Sequence, residues 1–500
     1  MKELIVRSSQ RHVRLIFTCL CLAVFLLTGC LPADLASGEA PAPLVAQPTP
    51  TLGATPTVEP TRPVYSPGEL VDYTAQTGDT LPVLAAHFNT SVREIRQANT
   101  FIPLDATTMP PGMPMKIPIY YQPLWGSSYQ IIHDSLYING PAQRDFNSTA
   151  FVNEQPGWLK SYSEYASGQV RTGAEIVDFV ALNHSISPRF LLALLEYELG
   201  ALTDPVTPSG LDAFPLGEVD LSTNGLYRQL NWAANALNNG YYGWRSGELD
   251  SLDLPGDRME RPDPWQNAAT VALQYYFTLH HSDDEYRRAI GPEGFAAAYR
   301  AMFGDPWTVE AHLPGSVRQP DLRLPFLPGL PWAYTGGPHS VWGTGEPLAA
   351  IDFAPPSEES GCIDTPEYTT AVANGIIART GPGILVLDLD GDSDERTGWA
   401  IFYLHIAGED RAPKGRKVQA GDLLGHPSCE GGLATGTHIH IARKYNGEWI
   451  LADSELAFNL EGWVAKNGVV AYQGYLVRNG QTKIACVCSD QFSQIQAEIR

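Results

Sequence analysis

The chain is short of positive charge. Its 500 residues include 33 lysines and arginines against 55 aspartates and glutamates, and the formal net charge is −22. Without residues 1–29, four basic residues and one acidic residue are lost and the net charge becomes −25. Such a balance argues against nucleic acid as a partner and against electrostatic adhesion to anionic lipid, because both need clustered cations. A chain of this length is expected to form several domains.

Long apolar runs are also scarce, and the one at the N-terminus is short. Four basic residues precede an apolar run at residues 15–27, and small residues follow it before Cys30. The run falls below the roughly 20 residues of a membrane span. Residues 1–29 resemble a bacterial lipoprotein signal peptide, which implies that Cys30 is lipidated and anchors the chain to a membrane. An uncleaved anchor helix and simple secretion are the alternatives.

Aromatic and large apolar residues are rare in residues 30–68, which are rich in proline, threonine and alanine. A segment of this composition cannot bury a core. It is predicted to be an extended, polyproline-like linker that holds the folded domains away from the membrane surface.

Cysteine is sparse, with seven residues, two of which fall in the signal peptide. If Cys30 is lipidated, four cysteines are left to pair, which suits an oxidising compartment. Cys362 and Cys429 fall in the same region of the chain, and a disulfide between them is expected to brace its loops. Cys486 and Cys488 either form a small loop or stay reduced.

A helical His-Glu-x-x-His motif is absent, and histidines occur instead in strand-like segments. In a β-strand, successive side chains alternate faces, so His438 and His440 point the same way. His339 lies upstream, and His405 ends an apolar strand. Asp352 is embedded in another apolar strand, where an unpaired carboxylate would be costly. Asp352 is therefore expected to be a metal ligand, with an ion pair or a turn cap as the alternative.

The order of these motifs resembles the M23 zinc endopeptidases of the lysostaphin and LytM type, which cut peptides of bacterial peptidoglycan. The matching segments lie at residues 335–339, 349–355, 403–406, 418–425 and 436–440. Twelve residues separate the first histidine from the aspartate, which is similar to the β-lytic branch of the family. The resemblance implies a mainly antiparallel β peptidase domain at residues 325–460, followed by a C-terminal extension at 461–500.

The resemblance also implies the role of each residue. His339, Asp352 and His440 would bind Zn²⁺, and His405 and His438 would be the catalytic histidines. Two imidazoles, one carboxylate and an open fourth position are typical of a catalytic zinc site. The expected reaction is hydrolysis of peptidoglycan cross-links or stem peptides. A non-catalytic wall-binding or amidase-activating lipoprotein is the alternative, because some M23-like domains have lost their ligands.

Residues 69–120 are similar to a LysM domain. Apolar spacing predicts a strand, two short helices and a returning strand. The motifs are Gly78-Asp79-Thr80-Leu81, Gln97-Ala98-Asn99 and the segment at residues 111–118. The resemblance implies binding to the glycan strand of peptidoglycan. The alternative is a small βααβ module that binds another protein.

Residues 129–310 carry helical apolar spacing and are predicted to form an all-α domain. The helix expected at residues 187–199 ends near Glu198 and is similar to lysozyme-like glycosidases and transglycosylases, whose catalytic glutamate precedes Ser-Gly. Here Leu199 replaces that serine. Glu198 is therefore either a glycosidase-like general acid or a surface or capping residue. The acidic segment at residues 388–394 is expected to be a hairpin turn, with a calcium loop as the alternative.

These features together predict a multidomain, lipid-anchored enzyme of the cell envelope. Its expected cofactor is Zn²⁺, and its expected partners are peptidoglycan and, through the lipid anchor, a membrane. The expected location is the outer face of the cytoplasmic membrane, or the periplasm or outer membrane.

Overall fold

The structure is a computed structural model that describes residues 62–498. Cys30, the signal peptide and most of the predicted linker lie outside the described residues. Among the residues described, no helix is both long enough and apolar enough to cross a membrane.

Residues 69–119 form a small βααβ unit, as predicted. Strand β1 (Glu69–Thr74) pairs antiparallel with β2 (Pro114–Ile119), and the helices α1 (Leu81–His87) and α2 (Val92–Ala98) lie between them in the chain. Their inward-facing side chains form a separate apolar core. The side chain of Ser91 accepts a hydrogen bond from the backbone N–H of Glu94, which defines the start of α2.

The βααβ unit packs against the helical region that follows. The ring of His87 stacks on Trp244 with centroids 3.5 Å apart, and its Nε2 lies 3.0 Å from the Trp244 carbonyl oxygen. The Trp265 indole donates a hydrogen bond to the carbonyl oxygen of Asp72. The two parts therefore have a defined contact.

Residues 134–303 are mostly helical, but the prediction of an all-α region is only partly correct, because two short hairpins are present. The helices are α3 (Asp134–Tyr137), α4 (Ser148–Glu154), α5 (Gly173–His184), α6 (Pro188–Leu199), α7 (Leu226–Ser246), α8 (Ala268–Thr278), α9 (Asp283–Ala289) and α10 (Phe295–Phe303). The hairpins are β3 (Ser163–Ala166) with β4 (Gln169–Thr172), and β5 (Leu252–Leu254) with β6 (Arg258–Glu260). Three 3-10 turns lie at Pro141–Gln143, Trp158–Ser161 and Leu221–Thr223. The hairpins connect helices, and their short strands contain too few residues to give a period-2 signal.

Helix α6 begins and ends where local chemistry requires. The Ser187 side chain accepts a hydrogen bond from the Phe190 N–H, and Pro188 occupies the first turn, where its missing N–H costs nothing. Gly200 follows the helix in the left-handed conformation, with φ of 60°. Glu198 consequently lies in the last turn of α6.

The C-terminal region is built on an antiparallel sheet with the strand order β13-β10-β11-β12-β15-β8-β7-β21, and β16 pairs with β15. Its strands are β7 (Trp332–Ser340), β8 (Leu348–Ala354), β10 (Gly375–Gly381), β11 (Ile384–Asp388), β12 (Trp399–Leu404), β13 (Lys417–Val418), β15 (Ile439–Tyr445), β16 (Glu448–Trp449) and β21 (Gln494–Ile495). A second pair joins β9 (Thr369–Thr370) to β14 (Leu423–Gly425). The sheet is mainly antiparallel, as predicted, and the acidic segment at residues 388–394 connects the paired strands β11 and β12.

The predicted C-terminal extension is joined to this region. It contributes most of a four-stranded sheet made of β17 (Asn459–Leu460), β18 (Trp463–Asn467), β19 (Gly474–Arg478) and β20 (Gln481–Ile484). Its last strand, β21, pairs with β7. Strand β7 carries His339, so the extension packs against the strand that positions one of the candidate ligands.

Candidate metal centre

Neighbouring strands bring the predicted metal ligands together. His440 on β15 is the direct cross-strand partner of Asp352 on β8, and β7, which carries His339, pairs with the other edge of β8. On the far side of β15, His440 is also the partner of Leu404, the residue before His405. Cross-strand partners have their side chains on the same face of a sheet, so the register places Asp352 and His440 side by side. His339 lies opposite Ala350, beyond register shifts in the pairing of β7 with β8, and His405 directly follows β12.

The three predicted ligands form a closed triangle of donor atoms. His339 Nε2 lies 3.3 Å from Asp352 Oδ1 and 3.0 Å from His440 Nδ1, and His440 Nδ1 lies 3.3 Å from Asp352 Oδ1. All three residues are buried. A single metal ion could therefore contact all three donor atoms at once.

Backbone carbonyl oxygens fix the orientation of three imidazole rings, those of His339, His405 and His438. The Nδ1–H of His339 donates to the carbonyl oxygen of Gly337 at 2.8 Å, which leaves Nε2 as a lone-pair donor. His438 and His405 are held in the same way, because their Nδ1 atoms lie 2.7 Å and 2.8 Å from backbone carbonyl oxygens. Their rings are 4.5 Å apart, and His438 Nε2 lies 3.9 Å from Asp352 Oδ2. The structure thus brings all five predicted residues together.

The electrostatics favour an ionised Asp352 and neutral His405 and His440. Burial lowers the pKa of His339, but the Asp352 carboxylate outweighs burial and raises it. Burial alone raises the pKa of Asp352, but the His339 and His440 imidazoles outweigh it and hold that pKa well below its usual range. Burial lowers the pKa of His440. Burial, with the nearby His438 and His440, lowers the pKa of His405 to about 4. At neutral pH the site therefore holds an ionised carboxylate and neutral imidazoles at His405 and His440.

The donor set fits a zinc ion. Tetrahedral zinc with ligand distances of about 2.0–2.1 Å leaves its ligand atoms about 3.3–3.4 Å apart, close to the observed edges of 3.0–3.3 Å. Asp352 Oδ1 is buried and has no hydrogen-bond partner among the described residues. A buried carboxylate oxygen without a donor is costly, and a cation at this point would remove the cost.

Two neighbours of the site were not predicted from the sequence. A Cβ atom at Gly336 would overlap Asp352 Oδ2, so only glycine lets β7 approach the carboxylate closely. The ring of Tyr472, in the C-terminal extension, stacks on His339 with centroids 4.0 Å apart. Gly336 lies inside a motif that matches the family, so the sequence could have revealed it. Tyr472 lies 132 positions after Ser340 and belongs to no recognisable motif.

The long spacer between His339 and Asp352 is held by the helical region. Its backbone N–H groups at Thr344 and Glu346 each donate a hydrogen bond of 2.7 Å, to Asn235 Oδ1 and Asn239 Oδ1 of α7. These two asparagines lie one helical turn apart, on one face of α7. The loop that separates two candidate ligands is therefore tied to a different domain.

Disulfides join both cysteine pairs in the described region. The Cys362–Cys429 bond has a Cα–Cα distance of 5.8 Å and connects the loop after β8 to the segment that precedes His438. The loop is further held because the Thr437 N–H donates to the Gly361 carbonyl oxygen. Cys486 and Cys488 are bonded to each other.

Glu198, in the last turn of α6, contacts two histidines that follow α8. Burial raises its pKa, but hydrogen bonds from His280 and His281 outweigh burial and lower it to about 2. A carboxyl group with that pKa is ionised at neutral pH and has no proton to donate. The role of Glu198 as a glycosidase-like acid or a capping residue stays a prediction, and its histidine partners lie 82 and 83 positions away in the sequence.

Comparisons with known proteins agree with this architecture. Residues 130–316 match the LasA N-terminal domain family, and residues 73–118 match the LysM domain family. The chain is 23% identical over 338 residues to protease LasA of Pseudomonas aeruginosa strain UCBPP-PA14, which covers 64% of this chain and 74% of LasA. LasA of strain PAO1 is equally similar.

Solved structures with similarity to the chain include two peptidases. The deep-sea M23 metalloprotease pseudoalterin is 26% identical, with 33% of this chain and 96% of pseudoalterin covered and a TM-score of 0.28. The catalytic domain of the antimicrobial peptidase lysostaphin from Staphylococcus simulans is 21% identical, with 25% and 89% covered and a TM-score of 0.18. The chain is recognised as a relative of the M23 metallopeptidases that carries a LysM domain and a LasA-type N-terminal domain ahead of its cluster of histidines and aspartate.

Proposed function

We propose that this protein is a zinc-dependent endopeptidase that cleaves peptide cross-links or stem peptides of bacterial peptidoglycan. The observation that carries the proposal is the convergence of His339, Asp352 and His440 at 3.0–3.3 Å, with His405 and His438 beside them. A zinc ion held by the first three residues would supply Lewis-acid polarisation of the scissile carbonyl and a water that is deprotonated near neutral pH.

His405 and His438 perform the proton transfers in this proposal. Each directs Nδ1 at a backbone carbonyl oxygen, so in the neutral form of either ring Nε2 carries the lone pair and can accept a proton. The ring that accepts the proton from water becomes a cation, and the other ring, in its protonated form, can stabilise the developing oxyanion or protonate the leaving amine. The assignment of the two roles stays a prediction.

The LysM domain is proposed to hold the enzyme on its substrate. A glycan-binding unit that packs against the helical region keeps the catalytic domain close to the wall, which raises the effective concentration of nearby peptides. The test is binding of soluble N-acetylglucosamine oligomers to the full chain. Binding that disappears when residues 69–120 are deleted supports the proposal, and binding that survives the deletion contradicts it.

Lipid attachment through Cys30 is part of the proposal for location in the cell envelope. Cys30→Ser is expected to release the protein from the membrane fraction. Mass spectrometry of the mature N-terminus is the direct measurement, and an unmodified Cys30 would contradict the anchor.

The enzymatic proposal is tested by measuring zinc content together with wall digestion. Wild-type protein is expected to bind zinc at the cluster and to release new amino groups and altered muropeptides from purified peptidoglycan. His440→Ala is expected to lose one equivalent of zinc and all activity. His426→Ala is the matched control, because His426 lies in the same domain but bonds to the Glu367 carbonyl oxygen, away from the cluster.

The second candidate function is a non-catalytic wall-binding or amidase-activating lipoprotein. It predicts that purified protein releases no amino groups and that His440→Ala behaves like the wild type. The complete set of five residues favours the enzyme, since a non-catalytic domain has no need to keep all of them.

A further inference from the structure

A second group of metal-ligand side chains lies in the helical region, far from the first in sequence. Glu198, in the last turn of α6, lies within reach of His280 and His281, which directly follow the end of α8. One donor atom from each residue lies within 4.8 Å of the other two. From this group we infer a second metal site, for Zn²⁺ or a similar divalent transition metal, with Glu198, His280 and His281 as ligands.

The hydrogen bonds within this group are long for a direct ion pair, and their lengths equal the separation expected between two ligands of one metal ion. Glu198 Oε1 lies 3.3 Å from His280 Nε2 and 3.3 Å from His281 Nε2. A charge-assisted hydrogen bond would be about 2.7–2.9 Å long. Two ligands of a tetrahedral zinc ion are about 3.3–3.4 Å apart. The first cluster shows the same 3.3 Å separation between its carboxylate and each of its imidazoles.

The molecule also contains a histidine and a glutamate that do form a direct pair. His312 Nε2 lies 2.5 Å from Glu448 Oε2, and both side chains are buried. The same two residue types therefore come into short contact where nothing separates them. The wider spacing around Glu198 is the one expected between two ligands of the same cation.

Apart from Glu198, the two histidines have no hydrogen-bond partner among the described residues. Their Nδ1 atoms are buried and have no hydrogen-bond partner among the described residues. The His280 ring packs against Tyr276 and Trp232, with centroids 4.6 Å and 5.7 Å away, and the His281 ring packs against Phe277 at 4.9 Å. Apolar packing therefore fixes both rings, and their Nε2 atoms point at one carboxylate.

The chemistry of the group suits zinc. Two histidines and one glutamate form a donor set that zinc takes in proteins, with a fourth position left for water. The side chains are 10–14% exposed, so the site has access to solvent. A metal here would tie the end of α6 to the end of α8. This inference concerns different residues from the proposed endopeptidase site and does not depend on its activity.

The test is the zinc stoichiometry of the full chain after equilibrium dialysis against Zn²⁺, measured by elemental analysis. Wild-type protein is expected to hold two equivalents, and Glu198→Gln and His281→Gln one each. His440→Ala is expected to keep one, and the double variant Glu198→Gln/His440→Ala none. Glu196→Gln is the matched control, because Glu196 lies on the same helix but bonds to the backbone N–H groups of Leu202 and Thr203.

A second measurement leaves Glu198, His280 and His281 unchanged, so its result does not depend on whether variants of these three residues fold. His440→Ala, with its first site disabled, is titrated with Co²⁺, and a saturable tetrahedral visible band at one equivalent is expected. No band, or a wild-type stoichiometry of one that Glu198→Gln does not lower, overturns the second site and leaves an ion pair. If Glu198→Gln lowers the stoichiometry but His440→Ala does not, the second site stands and the endopeptidase proposal fails.

Discussion

The two histidine and carboxylate clusters have nearly the same ligands but different surroundings. In the first, the ligands lie on three adjacent strands and are all buried, and two further imidazoles, His405 and His438, stand beside them. In the second, the ligands lie at two helix ends and no additional titratable imidazole is in contact among the residues described. In our proposals, two imidazoles and one carboxylate therefore serve two different uses. Catalysis needs the extra imidazoles, and a metal clip does not.

The largest expected effect separates binding from catalysis at the first cluster. His438→Ala is expected to keep zinc but to lower kcat by about 10²–10⁴-fold, because it removes a proton-transfer group and no ligand. His440→Ala is expected to lose both. Zinc analysis and the rate of amino-group release from peptidoglycan give the two readouts.

Comparing His438→Ala with His440→Ala tests the assigned roles more sharply than either variant alone. If His438→Ala loses zinc along with activity, His438 is a ligand and the assigned roles are wrong. If it keeps full activity, the extra imidazole does not distinguish the first cluster from the second.

Glu395 allows the effect of a buried charge on protein stability to be measured separately from the effect of a bound metal. This buried carboxylate is paired with Arg379 and with Lys444, whose Nζ lies 2.6 Å away. Burial raises its pKa, but the two cations outweigh burial and lower it to about 2. A depressed pKa contributes stability above the ordinary value near 4.5, and that contribution is lost as the pH falls from there towards 2.

The contribution of Glu395 is expected to be about 3 kcal/mol at neutral pH. Glu395→Gln should therefore destabilise the protein at pH 7 but not at pH 2, and chelators should not change the difference. Unfolding measured across this pH range is the check, with the exposed Glu455→Gln as the control. If EDTA abolished the destabilisation caused by Glu395→Gln, the effect would depend on a bound metal, and the distinction between buried charge and metal would be wrong.

Gly336→Ala tests whether the first cluster depends on close approach of a strand to its carboxylate. A Cβ atom there would overlap Asp352 Oδ2, so the carboxylate must move. We expect zinc affinity to fall about 10–100-fold, as for changes that disturb ligand orientation.

The control for Gly336→Ala is Gly381→Ala, in strand β10. A Cβ atom at that position meets only ordinary contacts with Ile384, so zinc affinity should not change. Equal losses in the two variants would mean that any added methyl group in the sheet disturbs the site, and the account of Gly336 would be wrong.

The smallest effect concerns the loop between His339 and Asp352. Asn239→Ala removes the acceptor for the Glu346 N–H and should cost about 1 kcal/mol of stability, which lowers Tm by about 2–4 °C. Zinc occupancy at saturating metal should stay the same. If occupancy falls with Tm unchanged, the helical region controls the ligand geometry directly.

The first cluster could be predicted from the sequence because its members lie in or next to short strands and within recognisable motifs. The alternation of strand side chains placed His438 and His440 on one face without any knowledge of the fold. The structure adds the cross-strand register that sets Asp352 opposite His440.

The second cluster could not be predicted, because its members come from the ends of two helices that meet only through tertiary packing. Each residue has a plausible local explanation, and Glu198 was interpreted as a glycosidase-like acid from the helix around it. Likewise, the stacking of Tyr472 on His339 depends on how the C-terminal strands fold back onto β7. Periodicity gives the elements of a fold but not which of their ends meet.

The most direct test of the central claim is a time course of amino-group release from purified peptidoglycan by zinc-loaded wild type, His438→Ala and His440→Ala, with zinc content measured on the same samples. The account predicts release by the wild type, a zinc-bound but almost inactive His438→Ala, and a His440→Ala that lacks both zinc at this site and activity. Release that is equal in all three samples, or absent from zinc-loaded wild type, would contradict the account.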